Sequence, residues 1–155
     1  MLRINLNLYH MKKSIHILLV VMAMIIGVSA YSQEKAYKDG TVWTVAFIKS
    51  EANMGDDYLK SLKTTWVAVH EEAIKQGLVL SYKVLAGASA NPGDWDIMLM
   101  TEYKSLAAME GQDDKWEAIF KKIVGNEEAS KQLNETRMKM RTIYGDKLMR
   151  EISYK

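Results

Sequence analysis

Residues 95–103 read Trp-Asp-Ile-Met-Leu-Met-Thr-Glu-Tyr. Trp95, Ile97, Leu99 and Tyr103 recur at even spacings, the period of a strand with one face against a core. Upstream, residues 87–93 run from Gly87 to Gly93 and hold the single proline, Pro92, so they read as a hairpin loop. Before that loop the alternation is already present, with Leu78, Leu80, Tyr82 and Val84 set against Val79, Ser81, Lys83 and Leu85 over residues 78–86. Two alternating runs joined by a short Gly/Pro loop predict an antiparallel hairpin.

Farther upstream, Leu59, Leu62, Trp66, Val69 and Ala73 recur at spacings of three and four, which predicts an amphipathic helix. Asn53 to Asp57 supply turn residues and an N-cap, and Gly77 stands just past the expected end near Gln76, where a left-handed residue closes a helix. Earlier still, Thr-Val-Trp-Thr-Val-Ala-Phe-Ile-Lys at 41–49 puts Trp43, Val45 and Phe47 on one face and Val42, Ala46 and Ile48 on the other. Both faces are apolar, so this strand is expected to be covered on two sides.

Downstream of the quoted strand, residues 105–110 read as a short helix. Asp113 or Asp114 is expected to cap another, whose apolar residues are Trp116, Ile119, Phe120 and Ile123. Residues 127–141 are polar and helical, which predicts a solvated helix. Gly145-Asp146 then reads as a turn into a last strand over 147–153.

The resulting order is β, α, β, β, α, β with an extra helix before the last strand, an α+β ferredoxin-like arrangement around an antiparallel sheet. That order, the strand at 95–103 and the run Lys-Ser-Leu-Ala-Ala-Met at 104–109 resemble the dimeric α+β barrel superfamily, which includes NIPSNAP-like, EthD-like and antibiotic-biosynthesis-monooxygenase-like families. The resemblance spans Thr41 to Tyr154. It implies a homodimer in which two sheets pack face to face, and a cavity between each sheet and its helices. Such a dimer accounts for the two apolar faces of the first strand.

Composition and charge bound the function. An apolar fraction of 48% in 155 residues is that of a globular protein, and a single domain is expected over 41–155 after a short polar linker over 31–40. Arg3, Lys12 and Lys13 precede every acidic residue. Without those three, 18 of the 21 basic residues remain against 19 acidic ones, a net charge of −1 with the signs interspersed. No basic stripe is left to neutralise a run of phosphates, so nucleic acid is not an expected partner.

The first thirty residues carry the pattern of a cleavable export signal. Lys12 and Lys13 form a positive start, Ile15 to Val28 is apolar apart from His16, and Val28-Ser29-Ala30 offers small residues for cleavage after Ala30. Met11, directly before the two lysines, is an alternative translation start to Met1. The apolar run falls short of the roughly 20 residues of a bilayer span, so the mature chain is expected in the periplasm or secreted, without a stable membrane anchor. A chain without cysteine cannot be a lipoprotein or a disulfide scaffold.

Candidate chemistry is sparse. His70, the single histidine after the leader, lies four residues from Trp66 at the edge of the apolar stripe. It can be read as a base or an axial ligand aimed into a sheet–helix cavity, or as a boundary histidine bonded to backbone or water. Similar haem-degrading barrels carry their histidine on the helix after the third strand. His70 departs from that placement, so haem is not expected, and no other cofactor is predicted. Trp43, Trp66, Trp95 and Trp116 fall on two strands and two helices and read either as an aromatic wall for a flat ligand or as core.

The acidic pairs Asp56-Asp57, Glu71-Glu72, Asp113-Asp114 and Glu127-Glu128 suit helix starts and solvated faces. Asp94 and Asp96 flank Trp95, but without histidine or cysteine they make a weak metal signal, and no metal site is predicted. Asn134-Glu135-Thr136 matches a glycosylation sequon, a pattern common by chance. Residues 87–93 lack the Gly-Lys-Ser/Thr ending of a phosphate loop. Three readings stand: an exported barrel dimer binding a small apolar or aromatic molecule between sheet and helices; a cofactor-independent monooxygenase or isomerase with His70, Tyr103 or Asp96 handling a proton; or an interaction module with a filled core.

Overall fold

Strand β1 (Tyr37–Ser50) is the spine of the fold, for in the computed structural model, which describes residues 35–155, both of its edges are paired. The leader expected over 1–30, its cleavage site after Ala30 and the first residues of the linker lie outside the described residues. The strand begins at Tyr37, so residues 37–40, expected as linker, belong to the sheet. Strands β2 (Ser81–Ala86), β3 (Ile97–Tyr103) and β4 (Arg141–Tyr154) complete an antiparallel sheet in the order β2–β3–β1–β4. With a helix between β1 and β2 and two between β3 and β4, this is the ferredoxin-like split βαβ topology, of class α+β.

The register assigns every strand residue to a face, because directly paired residues point the same way. Ile48 pairs with Ile97, Ala46 with Leu99, and Thr44 with Thr101; Leu99 and Thr101 pair in turn with Val84 and Tyr82. These side chains face the helices. Helix α1 lies over them: Gly55–Leu62, a π-helical turn at Lys63–Val67, and Ala68–Lys75. Tyr58 and Leu62 from its first half are buried with Ile48, Ile97 and Leu99, while Val69 and Ala73 from its second half are buried with Leu78, Val79 and Ile119. Ile119 belongs to helix α2 (Asp113–Ile123), which thus closes the second half of the core. Helix α3 (Glu127–Met138) buries none of its residues, as its polar sequence leads one to expect, and is capped by the Asn126 side chain accepting from the Ala129 N–H at 3.0 Å.

Three differences from the sequence reading have local causes. Leu78 and Val79 are consecutive and both buried, which an alternating strand does not allow. They belong to the closure of α1, and β2 starts at Ser81. Helix α2 is preceded by Gln112 at its cap position rather than by Asp113 or Asp114, both of which lie inside its first turn. Gly145 and Asp146 do not form a turn: Phe47 pairs with Gly145 and Ile48 with Ile143, leaving Tyr144 as the extra residue of a β-bulge within one long strand. Gly145 carries the positive φ, 146°, that this irregularity requires.

Candidate functional site

On the helical side of the sheet the aromatic residues fill the layer. Trp66, on the π-helical turn, holds its ring 3.8 Å from that of His70 (centroid to centroid), and Tyr82 meets Trp66 edge-on at 5.5 Å. Trp116 reaches from α2 to within 5.8 Å of the His70 ring. His70 is therefore buried, with only 6% of its surface exposed, rather than standing at the stripe's edge. The helix's own periodicity could not show this, because the cover comes from Trp116 on another element.

The hydrogen bonds of His70 determine its tautomer. Its Nδ1 lies 2.7 Å from the Trp66 carbonyl oxygen, which can only accept, so Nδ1 carries the proton. Nε2, 2.9 Å from the Thr101 hydroxyl, then accepts from it. Burial holds the imidazole below its usual pKa, opposed by the bond to Trp66, and the neutral ring is the form this layer accommodates. Both ring nitrogens are thus committed to protein partners.

The other two proposed proton carriers do not join it. Tyr103 shares the helical face of β3 with Thr101, and it packs against the Val69–Ile119 cluster. Burial raises its phenol pKa, opposed by a side-chain hydrogen bond with Thr44. Asp96 sits beyond the opposite end of β3, where its carboxylate accepts from the Ser50 N–H at 2.8 Å and from the Ser50 hydroxyl at 2.5 Å. Asp96 and Tyr103 are seven steps apart along the strand, about 23 Å at the rise of an extended chain. Asp94 turns back into its own loop, accepting from the Ala90 N–H and the Trp95 N–H at 2.9 Å each. His70, Tyr103 and Asp96 do not form one acid–base set.

The four tryptophans divide between the two faces. Trp66 and Trp116 belong to the helical layer, while Trp43 lies on the opposite face, and Trp95, just before β3, leans on Phe47 of that same face at 5.2 Å. Trp95 departs from the alternation of Ile97 and Leu99 because the Asp96 N–H donates to the Ile48 carbonyl and the chain enters the strand only after it.

This second face carries a recess. Trp43 pairs with Met149, Val45 with Met100 and Lys147, and Met100 with Lys83. Trp43, Val45, Lys83, Met100, Met149, Arg150 and Glu151 line a recess of about 300 Å³, open to solvent. The Lys83 ammonium stands 4.9 Å from the Trp43 ring and that of Lys147 5.6 Å from the Phe47 ring, contacts in which a cation covers an aromatic face. Sequence reasoning singled out Trp43 but missed Met100, Met149 and Lys83. Their signal was the register, since Met100 and Met149 lie directly across from the apolar face of β1 and Lys83 lies across from Met100. Among the described residues no group of three or more histidine, aspartate or glutamate side chains is placed to hold a metal ion.

No protein-family model and no curated protein matches the chain. Among solved structures it is similar to a dimeric ferredoxin-like protein from an uncultured marine organism, at 14% identity over 75% of this chain and 90% of the other, with a TM-score of 0.45. A dimeric protein of unknown function and ferredoxin-like fold from Bacteroides fragilis matches at 14% identity over 72% of this chain and 95% of the other, with a TM-score of 0.39. A de novo designed protein with a ferredoxin fold matches at 14% identity over 74% and 86%, with a TM-score of 0.28.

Proposed function

We propose that this chain is an exported protein that works as a homodimer, closing its open sheet face against a second copy, and that it holds a small apolar or aromatic molecule in the recess beside Trp43. The observation that carries the reading is the open face itself: Trp43, Phe47, Met98, Met100 and Met149 form one apolar surface around a buried Val45, with no helix of the described chain over it. A contiguous apolar face of this kind marks an interface or a ligand groove and is an aggregation liability if left open. Lys83 and Lys147 share the face with Glu102 and Glu151, so a two-fold partner can set opposite charges against each other. On this face Met149 is exposed, and Leu85, paired with Met98 on the edge strand β2, adds to it.

The ligand is assigned to this recess rather than to the sheet–helix layer because the Trp66, His70, Tyr82 and Trp116 rings already occupy that layer. Export rests on the pattern of residues 12–30 alone. Native mass spectrometry of protein purified from its host tests the proposal: a dimer carrying an additional small mass is expected. A stable, ligand-free monomer at micromolar concentration, seen also by light scattering, would overturn it.

A further inference from the structure

Arg137 lies in the last turn of α3 and Arg141 opens β4, and α1 lies against both, through Ser61 and Thr65 for Arg137 and through Tyr58 for Arg141. The Arg137 Nε–H donates to the Ser61 hydroxyl at 3.4 Å and its Nη2 to the Thr65 hydroxyl. Thr65 in turn donates to the Ser61 carbonyl at 2.5 Å, so its hydroxyl is held in place. The Arg141 guanidinium stands 5.5 Å from the Tyr58 ring, yet its Nε–H is buried without a hydrogen-bond partner.

Two half-buried guanidiniums therefore act on one phenol, and among the described residues neither has a carboxylate within ion-pair distance. Glu51, on the adjoining strand end, accepts from the Thr142 hydroxyl at 3.0 Å instead. Tyr58 does not serve as the counter-ion, because burial raises its pKa despite both arginines and keeps it a neutral phenol. Like charges drawn together out of water are unfavourable unless something neutralises them. A buried donor left without an acceptor adds to that cost.

We propose that Arg137 and Arg141, with the Ser61 hydroxyl beside them and Thr65 fixing the Arg137 fork, form a binding site for a dianionic tetrahedral oxyanion, a phosphate or the phosphate group of a small phosphomonoester. Two guanidiniums match two negative charges, whereas a monocarboxylate leaves one cation unpaired. The planar forks of arginine suit oxyanions, and the orphaned Arg141 Nε–H supplies a donor that protein groups leave unused. The site lies among α1, α3 and the start of β4, and it involves none of the residues lining the recess beside Trp43, so either site stands without the other.

Titration of the purified protein with inorganic phosphate, phenyl phosphate and acetate at constant ionic strength tests the inference, read by the Nε–H resonances of the arginines and by calorimetry. Saturable binding is expected for the phosphates at least about tenfold tighter than for acetate, with a downfield shift of the Arg141 Nε–H. Phenyl phosphate above inorganic phosphate identifies a phosphorylated molecule as the occupant, and the reverse order identifies the free anion. Arg137→Lys, which keeps the charge but loses the fork, should weaken phosphate binding at least about tenfold. Equal responses to acetate and phosphate, or an Arg141 Nε–H that does not move while wild-type protein is saturated, would overturn it whatever the variant does.

Discussion

The Thr101 hydroxyl on β3 lies 2.9 Å from His70 Nε2 on α1, a hydrogen bond buried between sheet and helix. With the Nδ1 proton engaged by the Trp66 carbonyl, this bond completes the pairing of a neutral imidazole in an apolar layer. The two partners are 31 residues apart in the chain, so the bond also ties α1 to the centre of the sheet. Thr101→Val removes the hydroxyl at almost constant volume and leaves Nε2 without a donor, a loss expected to cost about 1 to 3 kcal/mol. Equilibrium denaturation of the two proteins measures it.

The same histidine should give the protein an acid-sensitive stability. Burial sets its folded pKa below the ordinary 6.5, so as pH falls the unfolded chain takes up the proton first. The contribution of the neutral ring is fully present above pH 6.5. It is lost as pH falls from there through the lower folded value, because the unfolded state then binds more protons. Denaturation midpoints measured from neutral to mildly acid pH should decline for the wild type and lose most of that dependence in His70→Gln. An unchanged slope in the variant would assign the dependence to carboxylates.

Asp96 is expected to be a structural clamp. Its carboxylate receives both the N–H and the hydroxyl of Ser50, joining the end of β1 to the start of β3. Asp96→Ala should cost about 1 to 3 kcal/mol, and Ser50→Ala less, since the backbone donor to Asp96 survives. If both variants melt with the wild type, the clamp is not formed in solution.

Gly77 closes α1 with the paired bonds of a Schellman motif. Its N–H donates to the Ile74 carbonyl at 3.0 Å and the Leu78 N–H to the Ala73 carbonyl at 2.9 Å, with Ala73 and Leu78 in the same buried cluster. Its φ is +70° and a Cβ would meet nothing within 4 Å, so the only obstacle to a side chain is the backbone conformation. Gly77→Ala should therefore destabilise by about 1 kcal/mol and Gly77→Asn, which tolerates this region better, by less. Thermal melts of the pair decide whether the cap is strained as described.

What sequence reading reached here, and what it missed, follows from the range of the interactions involved. The alternation of Ile97 and Leu99 and the three-and-four spacing of Leu59, Leu62, Trp66, Val69 and Ala73 are local, and the fold class follows from them. Gly145-Asp146 was misread because a turn and a bulge use the same residue types; only pairing with Phe47 and Ile48 distinguishes them. The burial of His70 depends on Trp116, 46 positions away, and the division of the tryptophans depends on the entry of Asp96 into β3. The arginine pair escaped notice because residues 127–141 look like a solvated helix, while Ser61 and Thr65 are more than seventy residues distant. Three of the four arginines of the chain lie within 137–150, which is the one local hint.

Trp43 and Trp66 should separate the two faces of the sheet. Trp66 stacks on His70 and packs against the Ile48–Leu99 cluster, so Trp66→Ala leaves a cavity in the layer and is expected to cost about 3 to 5 kcal/mol. Trp43 stands on the open face with Lys83 over its ring and forms part of the wall of the recess. No helix packs there, so Trp43→Ala should lower the stability of an isolated protomer by no more than about 1 to 2 kcal/mol, while weakening both self-association and retention of any co-purified molecule. Melts taken across a range of protein concentrations distinguish the cases, since a dimer's midpoint rises with concentration and a monomer's does not. A concentration-dependent midpoint in the wild type that disappears in Trp43→Ala assigns the open face to the dimer. Equal concentration dependence in both proteins would place the interface elsewhere and leave the recess a surface feature.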